Sequence, residues 1–331
     1  MEFRTHVSIP AAKSAIDYSS RMMLIGSCFS EHIGRRLCAY KFSVDVNPFG
    51  IVYNPLSAYE TLSRLSRKEP FSESDLFLHN SLYHSYAHHG DFSDINRNEC
   101  LRKISNRFDQ AAKALPVTDI FLITFGTAYV YKLAASGDVV NNCHKVPAPH
   151  FTRSRLTVNE VVEKWQSLIS SLQSIHPNAK FIFTVSPVRH WKDGAHENQL
   201  SKSILHLSIE ALQEIFGESV QYFPAYEIMM DELRDYRFYA DDMMHPSMRA
   251  IDYIWERFSE TYFSKETRQI HTEWNRVRSL VNHRPLNPQS GEYKKFIHKT
   301  LNELNAFREK YPFISIEEEL DGIQKNRNNL V

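Results

Sequence analysis

Glycine is scarce, with 10 in 331 residues, so each one that closes a run or sits in a turn carries information. The four cysteines, Cys28, Cys38, Cys100 and Cys143, form no Cys-x-x-Cys pair. That spacing argues against a zinc ribbon and a thioredoxin-like motif, and it fits a reducing compartment without structural disulfides. Excess charge of one sign is missing as well. Lys plus Arg and Asp plus Glu number 39 each, so no net field draws the chain toward nucleic acid or an anionic membrane. No apolar run approaches the ~20 residues of a membrane span. Residues 1–21 are polar and lack the apolar core of a secretory leader. The expectation is a cytoplasmic protein with neither nucleic-acid nor membrane partner. There is no His-Glu-x-x-His, no internal repeat and no low-complexity segment.

What is present is ordinary for a globular chain: 42% hydrophobic and 24% charged residues, in a chain long enough to bury a sizeable core. The organising stretch is Met22-Met23-Leu24-Ile25-Gly26-Ser27-Cys28-Phe29-Ser30. A short apolar run closed by glycine reads as a buried strand. Phe29, Ile33, Leu37 and Tyr40 then recur along one face of a helix over about residues 29–40. Ser27 therefore sits at a strand-to-helix turn. It reads either as a helix N-cap or as a nucleophile whose oxyanion would lie near free helix N–H groups.

Further buried strands are predicted at Thr118–Phe125, closed by Gly126, and at Lys180–Val185, ended by Ser186, with a shorter one at about 219–223. Helical patterns occupy about 95–114, 157–175, 196–216, the stretch from Pro224 to about 233, and 247–264. Residues 69–93 read as a loop rich in aromatics and histidine, and Tyr129 to Val140 as a hairpin leaving the sheet. Two Asn-Pro pairs bracket Gly50 in a turn-rich segment, in which Asn54 either caps the helix starting at Pro55 or faces a pocket. Strands alternating with helices imply a parallel sheet covered on both faces, spanning residues 1–264. Residues 265–331 are charged and helical, without motif, and read as a helical extension. Ser27, Gly126 and Ser186 each follow a strand, which gathers them at the carboxyl edge of the sheet, where sites in such folds assemble.

A serine hydroxyl needs a base, and the base needs orienting. Asp242-Met243-Met244-His245 offers both. An Asp three residues before a His can turn back to its Nδ1–H and leave Nε2 for the pocket. Asp241 is the alternative partner, and the register favours Asp242.

The motifs taken together resemble the GSCFA family, which is similar to the SGNH/GDSL hydrolases. They are Gly26-Ser27-Cys28-Phe29-Ser30, Asn47-Pro48-Phe49-Gly50, Gly126-Thr127-Ala128, Asn142-Cys143-His144-Lys145, Ser186-Pro187-Val188-Arg189-His190 and Asp242-Met243-Met244-His245-Pro246-Ser247. The resemblance spans roughly residues 20–262. It implies a three-layer α/β/α flavodoxin-like fold and serine-dependent hydrolysis or transfer of an acyl group. Ser27 would be the nucleophile, His245 the base and Asp242 its partner. It also implies oxyanion donors from the Ser27 N–H, from a glycine for which Gly50 is the candidate, and from an Asn in a Gly-x-Asn-Asp block. Here that block reads Gly126-Thr127-Ala128-Tyr129, without an Asn amide. Asn54, Thr127 or the backbone near Ala128 are the substitutes.

His144, Arg189 and His190 are candidates to line the pocket against a polar or anionic substrate, with a surface salt bridge as the other reading of Arg189. Tyr83, Tyr129 and Tyr131 read as a sugar-stacking wall or as core. Cys28 reads as a small buried residue. No cofactor is expected. The expected substrate is an ester of a small polar molecule or a carbohydrate. Two other readings stand beside it: a metal-dependent hydrolase using the histidines around His84, His88 and His89, and a non-catalytic binding module on the same fold.

Overall fold

The computed structural model describes residues 4–328 except 13, 14, 284 and 288. The chain alternates strands and helices: β1 (Arg21–Gly26), α1 (Cys28–Ala39), β2 (Ser43–Val46), α2 (Pro55–Ser66), β3 (Phe77–His79), β4 (Leu82–His84), α3 (Arg97–Ala114), β5 (Ile120–Phe125), β6 (Tyr129–Leu133), β7 (Val139–Val140), β8 (Phe151–Arg155), α4 (Val158–Ile175), β9 (Lys180–Val185), α5 (Gly194–Phe216), β10 (Val220–Phe223), α6 (Ala225–Glu227) and α7 (Met248–Tyr262). After these come α8 (Lys265–Val281), α9 (Gly291–Lys310) and α10 (Glu317–Asn328).

Five strands form a wholly parallel sheet in the order β10-β9-β5-β1-β2. Numbered among themselves these strands run 2-1-3-4-5, the flavodoxin-like doubly wound order, whose direction reverses between β1 and β5. Alternation along the strands divides the core in two. Met23, Ile25, Phe121, Ile123, Phe125, Phe181, Phe183 and Val185 face the layer that includes Leu62, Ile104, Trp165 and Leu205 from α2, α3, α4 and α5. Met22, Leu24, Ile120, Leu122 and Ile182 face Phe29, Ile33 and Leu37 of α1 and Ile254 and Phe258 of α7. The result is the expected three-layer α/β/α fold.

Three strand segments differ from the sequence reading. Ser43–Val46, for which no strand was predicted, pairs in parallel with β1 as the edge strand. Its half-buried Ser-Val-Asp-Val pattern lacks an apolar run, and Asp45 is held by an ion pair with Arg107. Phe151–Arg155 is a third strand beside the predicted hairpin, antiparallel to β6. It is polar and mostly exposed. The region predicted as loop at 69–93 contains the short β3–β4 hairpin. The predicted helix after Pro224 continues from α6 into one π-helical turn, Ile228–Glu232.

The last three helices build a core of their own around Ile270, Trp274, Leu304 and Phe307. They dock on the C-terminal end of α1. The Trp274 indole donates to the Ala39 carbonyl at 2.8 Å, the Tyr40 hydroxyl donates to Asn275 Oδ1 at 2.9 Å, and Lys41 pairs with Glu319 at 2.6 Å. Because α1 runs antiparallel to the strands, this docking face lies at the opposite end of the sheet from Ser27. Among the described residues no helix is long and apolar enough to cross a membrane.

Candidate active site

Gly26 ends β1 where it runs closest to β5. A Cβ there would lie 2.6 Å from the Thr124 carbonyl oxygen, at a φ of +154°. Its N–H donates to Asn47 Oδ1 at 2.9 Å, which ties the strand end to the turn after β2. Gly26→Ala must push β1 from β5 next to Ser27. We expect a loss of about 1–3 kcal/mol, read by urea denaturation, and an unchanged midpoint would contradict the close approach.

Ser27 is the N-cap of α1. Its Oγ accepts from Phe29 N at 3.3 Å and donates to Ser186 Oγ at 3.3 Å. The cap reading holds, and the capping hydroxyl also lines a cavity of about 740 Å³. His245 lines the same cavity. Among the described residues no hydrogen bond joins it to Ser27, whose hydroxyl proton is directed at Ser186.

The loop carrying His245 is tightly specified. Tyr239 bridges to Pro246, and Ala240 N donates to the His245 carbonyl at 2.8 Å. Met243 takes a positive φ of 59°. Ser247 then caps α7 by accepting from Ala250 N at 3.3 Å. Inside the loop Asp242 Oδ1 accepts from Met244 N and His245 N, each at 2.9 Å, while Oδ2 lies 2.5 Å from His245 Nδ1. Those two backbone donors, followed by the imidazole, hold the Asp242 carboxyl down at about 2. Asp242, not Asp241, is the imidazole's partner.

Arg189, a candidate for an anionic ligand or a salt bridge, does something else. Its Nη2 donates to the Met243 carbonyl at 2.7 Å, and its guanidinium lies over Trp191 and Tyr239, 5.1 and 5.0 Å from the ring centres. It braces the histidine loop from the segment that follows β9. His190 is at the cavity wall, where burial pushes its imidazole down to about 3.

The oxyanion candidates separate in the structure. Gly50 N donates to Asn47 O at 2.8 Å within its turn, so that N–H is occupied, and Gly50 is not among the residues lining the cavity. Asn54 lines the cavity but acts as the cap of α2. Its Oδ1 accepts from Ser57 N and its Nδ2 donates to Ser57 Oγ, both at 2.9 Å. Gly126 N and Thr127 N both donate to Tyr53 O, at 2.8 and 2.9 Å, and Ala128 N donates to Ser201 Oγ at 2.7 Å. Thr127 lines the cavity, with its hydroxyl 3.1 Å from Ser201 Oγ. The block that lost its Asn is therefore bonded inward. Beside the cavity, α1 has first N–H groups that no helix satisfies internally, of which Phe29 N donates to Ser27 Oγ, and the Asn54 amide carries a second hydrogen.

His144 lies outside the cavity lining. Its ring lies tilted against His84 with ring centres 4.3 Å apart, and its Nε2 lies 2.9 Å from the Ser85 carbonyl. Burial pushes it down to about 4. Of the histidines in this segment His89 lines the cavity, while His84 and His88 are held inside the fold. His84 Nδ1 lies 2.6 Å from Ser93 Oγ, and His88 is buried between Phe49 and Phe71 and pushed down to about 3. Among the described residues no group of three or more His, Cys, Asp or Glu side chains could hold a metal ion. Tyr83 is packed against the core, whereas Tyr129 and Tyr131 line the cavity.

Sequence reasoning passed over Lys202. This side chain, on α5, is fully buried, and its Nζ donates to Gly126 O at 2.7 Å and Ser186 O at 2.8 Å. It joins the ends of β5 and β9 beneath Ser27. Burial pushes its ammonium down to about 7. The available signal was its place at i, i+3, i+7 with Leu205 and Ile209 on the apolar face of α5, where a lysine is out of pattern.

Two solved structures resemble the chain weakly. An acetyl xylan esterase, Est2A, from the rumen bacterium Butyrivibrio proteoclasticus aligns with a TM-score of 0.37 at 11% identity, over 74% of this chain and 64% of that one. The chain thus spans under two thirds of that esterase's length. A carbohydrate esterase family 3 structure from Talaromyces cellulolyticus aligns with a TM-score of 0.33 at 10% identity, over 76% of this chain and 99% of that one. No curated protein matches. The GSCFA family model matches residues 21–258, and the model of the GSCFA domain protein, C-terminal domain, matches residues 274–328. On these matches, which take in both the α/β sheet with its cavity and the helices beyond it, the chain belongs to the GSCFA family.

Proposed function

We propose that the chain is a serine-dependent acyl hydrolase, or acyltransferase, acting on an ester of a small polar molecule or carbohydrate. The observation that carries this reading is the pairing of His245 Nδ1 with Asp242 at the rim of the cavity into which Ser27 opens. Fixing the proton on Nδ1 leaves Nε2 as the acceptor a serine needs. For reaction, the Ser27 hydroxyl turns its proton from Ser186 to His245 Nε2, and Oγ attacks the acyl carbonyl. His245 takes the proton and returns it to the leaving alkoxide. Water or an acceptor alcohol then attacks the acyl-enzyme, with His245 again taking the proton, and Ser27 is restored. Asp242 supports the imidazolium formed in each half. The oxyanion is met by N–H groups at the start of α1, where the helix dipole favours negative charge, and by the Asn54 amide.

The inward bonding of residues 126–128 favours one rival, a binding module that kept the fold without the chemistry. One experiment separates them. The protein is treated with a fluorophosphonate and weighed intact, alongside Ser27→Ala and His245→Ala. We expect one adduct on the wild type and none on either variant. An unlabelled wild type defeats the hydrolase reading and leaves the binding module.

A further inference from the structure

The charges lining the cavity do not balance. Its cations are Arg153, Arg189 and Lys192, and its one carboxylate among the described residues is Asp193. Asp193 is taken by Arg153, whose two terminal nitrogens lie 2.7 and 2.5 Å from the two carboxylate oxygens. Arg189 is turned to the Met243 carbonyl. Lys192 has no carboxylate partner among the described residues. It donates to the Tyr131 hydroxyl at 2.8 Å and is exposed beside Trp191, which is 47% exposed. The start of α1 adds its partial positive charge at Ser27.

A cavity that holds two cations without carboxylate partners among the described residues, Arg189 and Lys192, with an exposed aromatic ring beside them, suits a ring carrying negative charge. The geometry points to a substrate that bears an anionic group, a carboxylate or a phosphate, on a compact polar body, with Lys192 as the cation that receives it. Trp191, 47% exposed, gives a flat apolar surface for the body of the molecule, and the ester is left facing Ser27. Asp242 does not cancel this attraction, because its charge is turned onto His245 and its own loop. The assignment of the acyl group to Ser27 rests on the hydrolase reading, but the charge preference does not.

The test is therefore made on binding. Ser27→Ala protein, which cannot turn the ligands over, is titrated calorimetrically with three acetylated sugars. One is an acetylated glucuronic acid, one its neutral methyl ester, and one an acetylated glucose 6-phosphate. We expect at least one anionic sugar to bind about tenfold or more tightly than the neutral one. The margin should shrink as salt rises, since exposed charges are screened. It should be lost in Lys192→Glu, an exposed position where the change leaves the core untouched. The two anionic arms decide between carboxylate and phosphate. Equal affinity for charged and neutral sugars, or a preference that survives Lys192→Glu, overturns the proposal. Fluorophosphonate labelling of the wild type keeps the two ideas apart. A labelled protein without charge preference loses only the anionic substrate, and an unlabelled protein that selects the anionic sugar loses only the hydrolysis.

Discussion

Asp242→Asn is expected to lower kcat about 10⁴-fold, or about 5.4 kcal/mol of transition-state stabilisation, while the protein stays folded. The reason lies in how the carboxylate divides its work. Oδ1 holds the loop through Met244 N and His245 N, and Oδ2 holds His245 Nδ1. An asparagine keeps an oxygen at the first position, so the turn survives. At the second it presents an N–H₂, which needs an acceptor on Nδ1 and so drives the proton to Nε2. That is the wrong tautomer for taking a proton from Ser27. Asp242→Ala differs in kind, because it also removes the acceptor for two backbone donors. The comparison is made with a chromogenic ester and with thermal melts of all three proteins. An Asn variant that keeps more than a tenth of wild-type kcat removes His245 from the role of base.

The second large effect concerns Lys202. Folding lowers its ammonium from an ordinary 10.5 to about 7. Below pH 7 folded and unfolded chains both hold this proton, so it contributes no slope. Between about pH 7 and 10.5 the unfolded chain holds it and the folded chain does not. Stability therefore rises with pH in that window, by about 1.4 kcal/mol per unit, and levels off above it. Lys202→Met carries no such proton. The difference in unfolding free energy, wild type minus variant, should climb by that amount per unit from about pH 7 upward. Urea titrations of both proteins at three pH values read it directly. A difference that stays flat means that Lys202 remains charged when buried. The same variant strips the donors from Gly126 O and Ser186 O, so the ends of β5 and β9 lose their shared tie and kcat is expected to fall with them.

Most of the fold was legible because its core strands are apolar runs. Met22–Ile25, Ile120–Phe125 and Phe181–Val185 are buried on both faces, and such runs announce themselves without alternation. The strands missed were those without that property. β2 is a half-buried edge, and β8 spends two arginines on ion pairs with Asp193 and Glu197. The site divided along a similar line. Asp242 and His245 are three residues apart, so their meeting is a local event that sequence can suggest. Ser27 with Ser186, or Lys202 with Gly126, are meetings across the sheet. Gly50 and His144 do not line the cavity. A motif names residues that are near the site, and only hydrogen bonding tells which of them face it. Arg189 was singled out for its charge and found holding a backbone carbonyl.

Helix α1 is 12 residues long, or about 18 Å, and it is seized at both ends. Ser27 closes the first turn at the carboxyl edge of the sheet. At the far end, where a helix leaves carbonyls without partners, the indole of Trp274 reaches across to Ala39. The C-terminal helices thus act as a backstop for the strut that begins at Ser27, seating it from the end farthest from the cavity.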